Sequence, residues 1–311
     1  MTVDLRNRSV GWIGLGRMGA AMAERLALAG ANVRAYNRTR AKAEPLIASG
    51  VKPVDSPADL AGCEIVFTMV SNAAALCQVT IEEGGVLSVT DMAPKILIDC
   101  STISTDASAE IRVAAAKKGT QILVVPVSGN DQVARAGKLS VLASGPREVF
   151  EDVEPYLACF GPSVSYIGEG DLARIAKICH NMLLGIVFQG LAECTVLAEK
   201  SGVPRHVFLE VINNSVLGST YTRYKLPGLV NLDFSVTFTN NLMQKDLDLG
   251  LEAARTTGAV LPLTELVRGL VQQGIDEGGA EADYTTLFLR QAAASGLDPE
   301  SEDIDVASGL D

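Results

Sequence analysis

Lys177, His180 and Asn181 stand at positions i, i+3 and i+4 of an apolar-periodic stretch, Gly170 to Val203, that no proline interrupts. On a helix that spacing places all three on one face. A lysine in an apolar helix is costly unless it has a chemical use or a route to water. Burial disfavours the ammonium and lowers its pKa from about 10.4 towards neutrality, where proton transfer is efficient. Alone, such a lysine is best read as one that snorkels to solvent.

A second constellation lies near the N-terminus. Val10-Gly11-Trp12-Ile13 has strand character and runs into Gly14-Leu15-Gly16-Arg17-Met18-Gly19, after which apolar residues recur at helical spacing over Met18–Ala29. G-x-G-x-x-G between a strand and a helix can hold a pyrophosphate. Gly14 allows the tight turn, Gly16 the approach of backbone to phosphate, and Gly19 close helix–strand packing. The helix N-terminus adds N–H donors and a favourable dipole. A glycine turn of purely structural use is the competing reading, which the strand–turn–helix context disfavours. The next strand ends in Ala35-Tyr36-Asn37-Arg38-Thr39-Arg40, with no acid to accept from a ribose 2′-OH. Guanidinium binds a 2′-phosphate in a fork, so these residues predict NADPH over NADH, with Arg38 the main ligand beside Asn37 and Thr39.

These residues need a scaffold. Strand patterns at Ser9–Ile13, Asn32–Tyr36, Glu64–Met69, Ile96–Asp99, Gln121–Pro126 and Leu139–Ala143 alternate with helical ones, which predicts a mostly parallel sheet covered on both faces. The last two are joined without a helix of normal length, so that edge should depart from simple alternation. After the long Gly170–Val203 helix, further helical patterns cover Arg205–Asn213, Asn241–Thr257, Leu263–Glu277 and Thr285–Ala294. The organisation expected is an α/β domain over residues 1–167, an all-helical domain over 168–297, and an acidic, disordered tail over 298–311.

Composition narrows the function. The 311 residues carry a net charge of −11, with 48% hydrophobic and 20% charged residues. A general nucleic-acid or anionic-membrane binder needs a basic surface, so neither is expected. No stretch reads as long and apolar enough for a membrane span, and the N-terminus has no secretory h-region. The six cysteines form no CxxC pair and read as reduced, buried thiols of a cytoplasmic protein. With two histidines, a His-based metal site is not expected.

Four ordered segments resemble the β-hydroxyacid dehydrogenase family over roughly residues 9 to 290. Gly14-Leu15-Gly16-Arg17-Met18-Gly19-Ala20-Ala21-Met22-Ala23 is similar to its GLGxMGxxMA opening, and Pro126-Val127-Ser128-Gly129 with Ala136-Gly137 to its PVSGG segment. Lys177-Ile178-Cys179-His180-Asn181 is similar to its KxxxN helix, and Lys245-Asp246-Leu247 to its KDL segment. Asp99-Cys100-Ser101-Thr102 also looks like its D-x-S-T turn.

The resemblance implies a Rossmann-type N-terminal domain followed by an all-α domain built on the long interdomain helix, with the site at the carboxyl ends of the strands where the domains meet. It makes Lys177 the proton donor in reduction and acceptor in oxidation, beside the hydride carried by nicotinamide. Asn181 serves substrate or Lys177, and the Ser128 hydroxyl with the backbone N–H groups of Gly129 and Asn130 holds a substrate carboxylate. Lys245 closes over cofactor and substrate, while Val70, Ser71 and Thr102 join Gly14–Gly19 and Asn37–Thr39 at the cofactor.

Asp171 and Ala173 stand where the family carries glycines ahead of the lysine, and Asn130 replaces the second glycine of PVSGG. Both point to a substrate unlike the usual ones. Leu184 occupies the glutamate position of the related 6-phosphogluconate dehydrogenases, which argues against decarboxylation, and Lys177 argues against assignment as an imine reductase. The expected activity is NADP-linked interconversion of a small β-hydroxy acid and its aldehyde or semialdehyde, by a homodimer or homotetramer. The rivals are an imine reductase-like oxidoreductase and a non-catalytic NADP-binding regulator; loss of Lys177 or Asn181 would mark the latter, and both are present.

Overall fold

The computed structural model describes residues 5–307. The chain divides into two compact units, Met1–Lys177 and Ile178–Asp311. The division falls inside the long helix rather than at 167/168.

The first unit runs β1 (Ser9–Ile13), α1 (Arg17–Leu28), β2 (Asn32–Tyr36), β3 (Lys52–Pro53), β4 (Ile65–Thr68), α2 (Ala73–Thr80), β5 (Ile96–Asp99), α3 (Thr105–Lys117), β6 (Gln121–Val124), β7 (Val127–Ser128), α4 (Asp131–Arg135), β8 (Ser140–Ser144), α5 (Arg147–Leu157) and β9 (Ser163–Gly168). The strands form one sheet in the order β3-β2-β1-β4-β5-β6-β8-β7, with β9 against β8. From β3 to β6 every pairing is parallel. All four residues of β4 and of β5 are buried, as strands covered on both faces must be. Trp12 stacks on Phe67 at 5.2 Å, and Phe160 meets both rings edge-on. Ile13, Val66, Leu97 and Val124 join Leu76, Ile111 and Ala115 in a second apolar cluster.

The far edge departs from alternation as expected: β8 runs antiparallel to β6 and to β7, and parallel to β9. β7 therefore runs in the direction of β6, and its carboxyl end faces the same sheet edge as those of the parallel strands.

The helix α6 (Leu172–Lys200) spans 29 residues. It overturns the expectation that no stretch is long and apolar enough for a membrane span: its most apolar 18-residue window has a mean hydropathy of 1.5. Its cations sit in the first turns and the last residue, which leaves the middle apolar; core helices of globular proteins share this pattern.

The second unit continues with α7 (Arg205–Asn214), α8 (Thr220–Asn231), α9 (Asn240–Thr257), α10 (Pro262–Gly274), a π turn (Ile275–Gly279) and α11 (Leu287–Ala294). Phe188, Leu191 and Val196 of α6 form its core with Leu209, Val230, Met243, Leu247, Val271, Tyr284 and Phe288.

Residues 298–307 correct the expectation of a disordered tail; 308–311 lie outside the described residues. Pro204 precedes α7 and offers no capping side chain, so Glu302 takes that role, its carboxylate accepting from the N–H groups of Arg205 (3.0 Å) and His206 (2.8 Å). Asn231 and Ile304 exchange two hydrogen bonds, at 2.9 and 3.1 Å. Ile304 and Val306 pack on the helical core. The acids that suggested solvation are in part a cap.

The thiols also differ from expectation. Cys63 and Cys100 are buried, Cys77 and Cys159 half-buried, and Cys179 and Cys194 exposed on α6. A helix with apolar residues on most sides cannot bury all of them in one unit.

Candidate active site

The phosphate turn is fixed from three sides. Gly14 N–H donates to Tyr36 C=O (2.9 Å), and the Trp12 indole N–H donates to Gly14 C=O (2.9 Å). Leu15 N–H donates to Asn37 Oδ1 (2.8 Å), and Asn37 Nδ2 donates to Thr39 C=O (2.9 Å). Gly14 has φ +98°, and a Cβ there would lie 2.3 Å from Met69 O. At Gly19 it would lie 2.0 Å from Gly14 O, so these two glycines are steric necessities. Gly16 differs, because a Cβ there would meet nothing within 4 Å. It caps α1, whose first turn carries neither a capping side chain nor an acid. Open space above uncapped N–H groups suits a pyrophosphate. Leu15 is buried, Met18 half-buried and Arg17 exposed.

Arg38 is exposed and forms no ion pair among the described residues, whereas Arg40 pairs with Asp55. Gly14–Gly19, Asn37–Thr39, Val70–Ser71 and Thr102 follow β1, β2, β4 and β5, four neighbouring parallel strands. Strand order reverses about β1 and β4, at the crevice where open α/β sheets bind ligands. The residues present fit a dinucleotide.

The loops after β4 and β5 are joined: Val70 N–H donates to Ser101 Oγ (3.0 Å). Asp99 Oδ1 accepts from Thr68 Oγ1 (2.8 Å) and Ser101 N–H (3.0 Å), and Oδ2 accepts from Arg174 (2.9 Å). Burial pushes the neighbouring Cys100 thiol far up, reinforced by the Asp99 charge, so it remains an unreactive thiol.

Ser128 is half-buried at the carboxyl end of β7, paired in register with Ser140. Gly129 follows with φ +131°. Asn130 caps α4, its Oδ1 accepting from Val133 N–H (3.0 Å), so the side chain that replaces the family's second glycine is engaged by its own helix. Asp171 likewise turns to α3: it accepts from Ser108 Oγ (2.9 Å) and pairs with Arg112 (2.6 Å).

Lys177 is buried, with 8% of its surface exposed. One turn on, Asn181 is buried too, and its Nδ2 donates to Asp246 Oδ2 at 2.5 Å. Asn181 Oδ1 lies 3.0 Å from His180 Nδ1. Lys245 Nζ sits 3.1 Å from Asp246 Oδ1. Asp246 is therefore the hub of this cluster in the second unit, buried between an amide and an ammonium. The sequence reading gave Asp246 no role, although it lies inside the KDL segment; Asp99 and Arg174 were missed as well. A buried acid on α9 is the signal that could have found Asp246, since its i−3 and i+1 neighbours Met243 and Leu247 are core residues.

Residues 9–168 match the model for the NAD binding domain of 6-phosphogluconate dehydrogenase, and residues 171–290 that for the NAD-binding domain of NADP-dependent 3-hydroxyisobutyrate dehydrogenase. The chain is 34% identical to a 3-hydroxyisobutyrate dehydrogenase of Pseudomonas aeruginosa, over 84% of this chain and 90% of that one. It is 31% identical to a 2-(hydroxymethyl)glutarate dehydrogenase of Eubacterium barkeri, over 90% and 93%. A solved structure described as Psf3 in complex with NADP+ and 2-OPP superposes with a TM-score of 0.82 at 26% identity, covering 90% of this chain and 99% of that one. With both family models, the ordered motifs and the fold in agreement, the chain belongs to the β-hydroxyacid dehydrogenase family.

Proposed function

We propose that this protein is an NADP-dependent oxidoreductase that interconverts a small β-hydroxy acid and its aldehyde or semialdehyde, with Lys177 as general acid and base. Family membership supports nicotinamide-linked oxidoreduction of a hydroxy acid. The observation that carries the finer reading is the i, i+4 spacing on α6 of Lys177 and Asn181, both buried, with the Asn181 amide held by Asp246.

When bound, the nicotinamide supplies the hydride in reduction and takes it back in oxidation. Lys177 gives its proton to the carbonyl oxygen as the carbon is reduced, and accepts it in the reverse direction. The Ser128 hydroxyl and the N–H groups of Gly129 and Asn130 hold the substrate carboxylate. Asn181 binds substrate through an amide that Asp246 keeps from rotating, and Lys245 adds a cation beside it. Gly14–Gly19 hold the pyrophosphate, and Arg38, Asn37 and Thr39 the 2′-phosphate, with Val70, Ser71 and Thr102 on the cofactor as well. The absence of an acid at the end of β2 and the exposure of Arg38 support NADPH over NADH.

We infer also that the protein is a cytoplasmic homodimer or homotetramer, with no nucleic-acid or membrane partner. Exposed Leu183, Val187 and Leu197 on α6 support association, and light scattering showing a monomer would reject it. The test of function follows NADPH and NADH oxidation with glyoxylate, succinic semialdehyde, tartronate semialdehyde and methylmalonate semialdehyde. Turnover of at least one with NADPH preferred supports the reading. No turnover, with NADPH tightly bound, favours a larger carbonyl or an imine substrate, or the regulatory role.

A further inference from the structure

Arg174 is buried, with 1% of its surface exposed, in the first turn of α6. A buried guanidinium is expensive unless its donors are matched. Here one arm, Nη1, donates to Ser101 C=O at 2.7 Å. The other, Nη2, donates to Asp99 Oδ2 at 2.9 Å and to Ser108 Oγ at 3.3 Å. Nε makes no hydrogen bond among the described residues; its nearest charge is Asp171 Oδ1 at 3.6 Å. Asp99, Ser101 and Ser108 are themselves buried. The charges balance in pairs, Arg174 with Asp99 and Arg112 with Asp171.

This network has a direction. Ser101 Oγ accepts from Val70 N–H, and Asp99 also holds Thr68 and Ser101 N–H. Arg174 thus grips the loop after β5 directly and the loop after β4 through Ser101. Those loops carry Val70, Ser71 and Thr102, while Lys177 lies one helical turn beyond Arg174. Only a planar fork reaches a carbonyl and a carboxylate with separate arms; an ammonium satisfies one well.

We propose that Arg174 is a positioning residue, which locks the cofactor-facing loops after β4 and β5 to the turn of α6 that carries Lys177, so that hydride and proton reach one carbonyl in register. The proposal rests on the reading of Lys177 given above. Misplacement by about 1 Å can cost about a hundredfold in rate.

The test uses Arg174→Met, the charge-balanced Asp99→Asn/Arg174→Met, and Arg174→Lys, with Lys177→Ala beside them. Melting temperature, NADPH Kd, KM and kcat across about pH 6–9 are measured on each. Arg174→Met strands the Asp99 charge and should lose both stability and activity. The double variant should recover most of the melting temperature and bind NADPH within about threefold of wild type, while kcat stays about 30-fold or more down at every pH. Arg174→Lys should fold normally and lose about tenfold in kcat. Recovery of kcat together with stability in the double variant, or wild-type kcat in Arg174→Lys, overturns the positioning role and leaves a structural ion pair. Should Lys177→Ala retain turnover, the reading of Lys177 fails instead. If it loses turnover while the Arg174 variants keep theirs, only the positioning proposal fails.

Discussion

Replacing Arg38 by alanine separates NADPH from NADH. Arg38 is exposed at the end of β2 and forms no ion pair among the described residues, so its loss strands no partner. A hydrogen bond to a charged group contributes about 1.5–3 kcal/mol, and screening at an exposed position holds Arg38 to the lower end. NADPH should therefore bind about tenfold more weakly to Arg38→Ala, with NADH unchanged. Arg40 is already engaged by Asp55, so Arg40→Ala should change the NADPH Kd by less than about threefold. Asn37→Asp keeps the acceptor for Leu15 N–H, loses the donor to Thr39 C=O and adds a negative charge where the 2′-phosphate is expected. It should reverse the preference towards NADH. Isothermal titration of both nucleotides at two salt concentrations reads all three variants, and the Arg38 effect should shrink as salt rises. Wild type binding NADH as tightly as NADPH, or Arg38→Ala leaving their ratio intact, refutes the reasoning.

Three further outcomes follow from the geometry. Gly16→Ala meets open space and should melt like wild type while losing NADPH affinity, whereas Gly19→Ala collides with Gly14 O and should lose both; calorimetry with titration distinguishes them. Asp283 accepts from the N–H and hydroxyl of Thr237 and of Thr285, and from Phe238 N–H. Burial works against its carboxylate, but the Lys225 charge and these hydrogen bonds outweigh it and lower its pKa below the usual 3.8. A lowered carboxylate contributes stability above the unfolded pKa that is lost as pH falls through the folded one. Asp283→Asn should thus cost about 2–4 kcal/mol at neutral pH in denaturant melts, a difference that narrows only below about pH 4. Glu302→Ala, which removes the cap of α7, should cost about 1 kcal/mol, and an unchanged melting temperature would refute the docked segment.

The parallel part of the sheet was legible because its strands are short, apolar and bounded by turn residues; β1, β2 and β5 have the bounds that the pattern gave. The long helix was equally plain. Elements held by partners were not. α8 contains Pro227, which argues against a helix in sequence terms, yet a capping box at Ser219 and Thr222 starts it. β9 alternates exposed and half-buried residues and is defined by pairing with β8. The phosphate turn and Lys177 were legible because their chemistry needs particular residues at particular spacing. Arg174 was not, because a basic residue on a helix reads as solvated; its partner Asp99 is 75 positions away in sequence. Asp246 was hidden in the same way, since only the fold brings it to Asn181.

The central claim is proton transfer by Lys177, and the most direct measurement is turnover of Lys177→Ala with NADPH and the best carbonyl acid, alongside its NADPH Kd. The account predicts a loss of about a hundredfold or more in kcat at saturating substrate, with NADPH bound within a few-fold of wild type. Turnover near the wild-type rate, with the nucleotide bound normally, would contradict it.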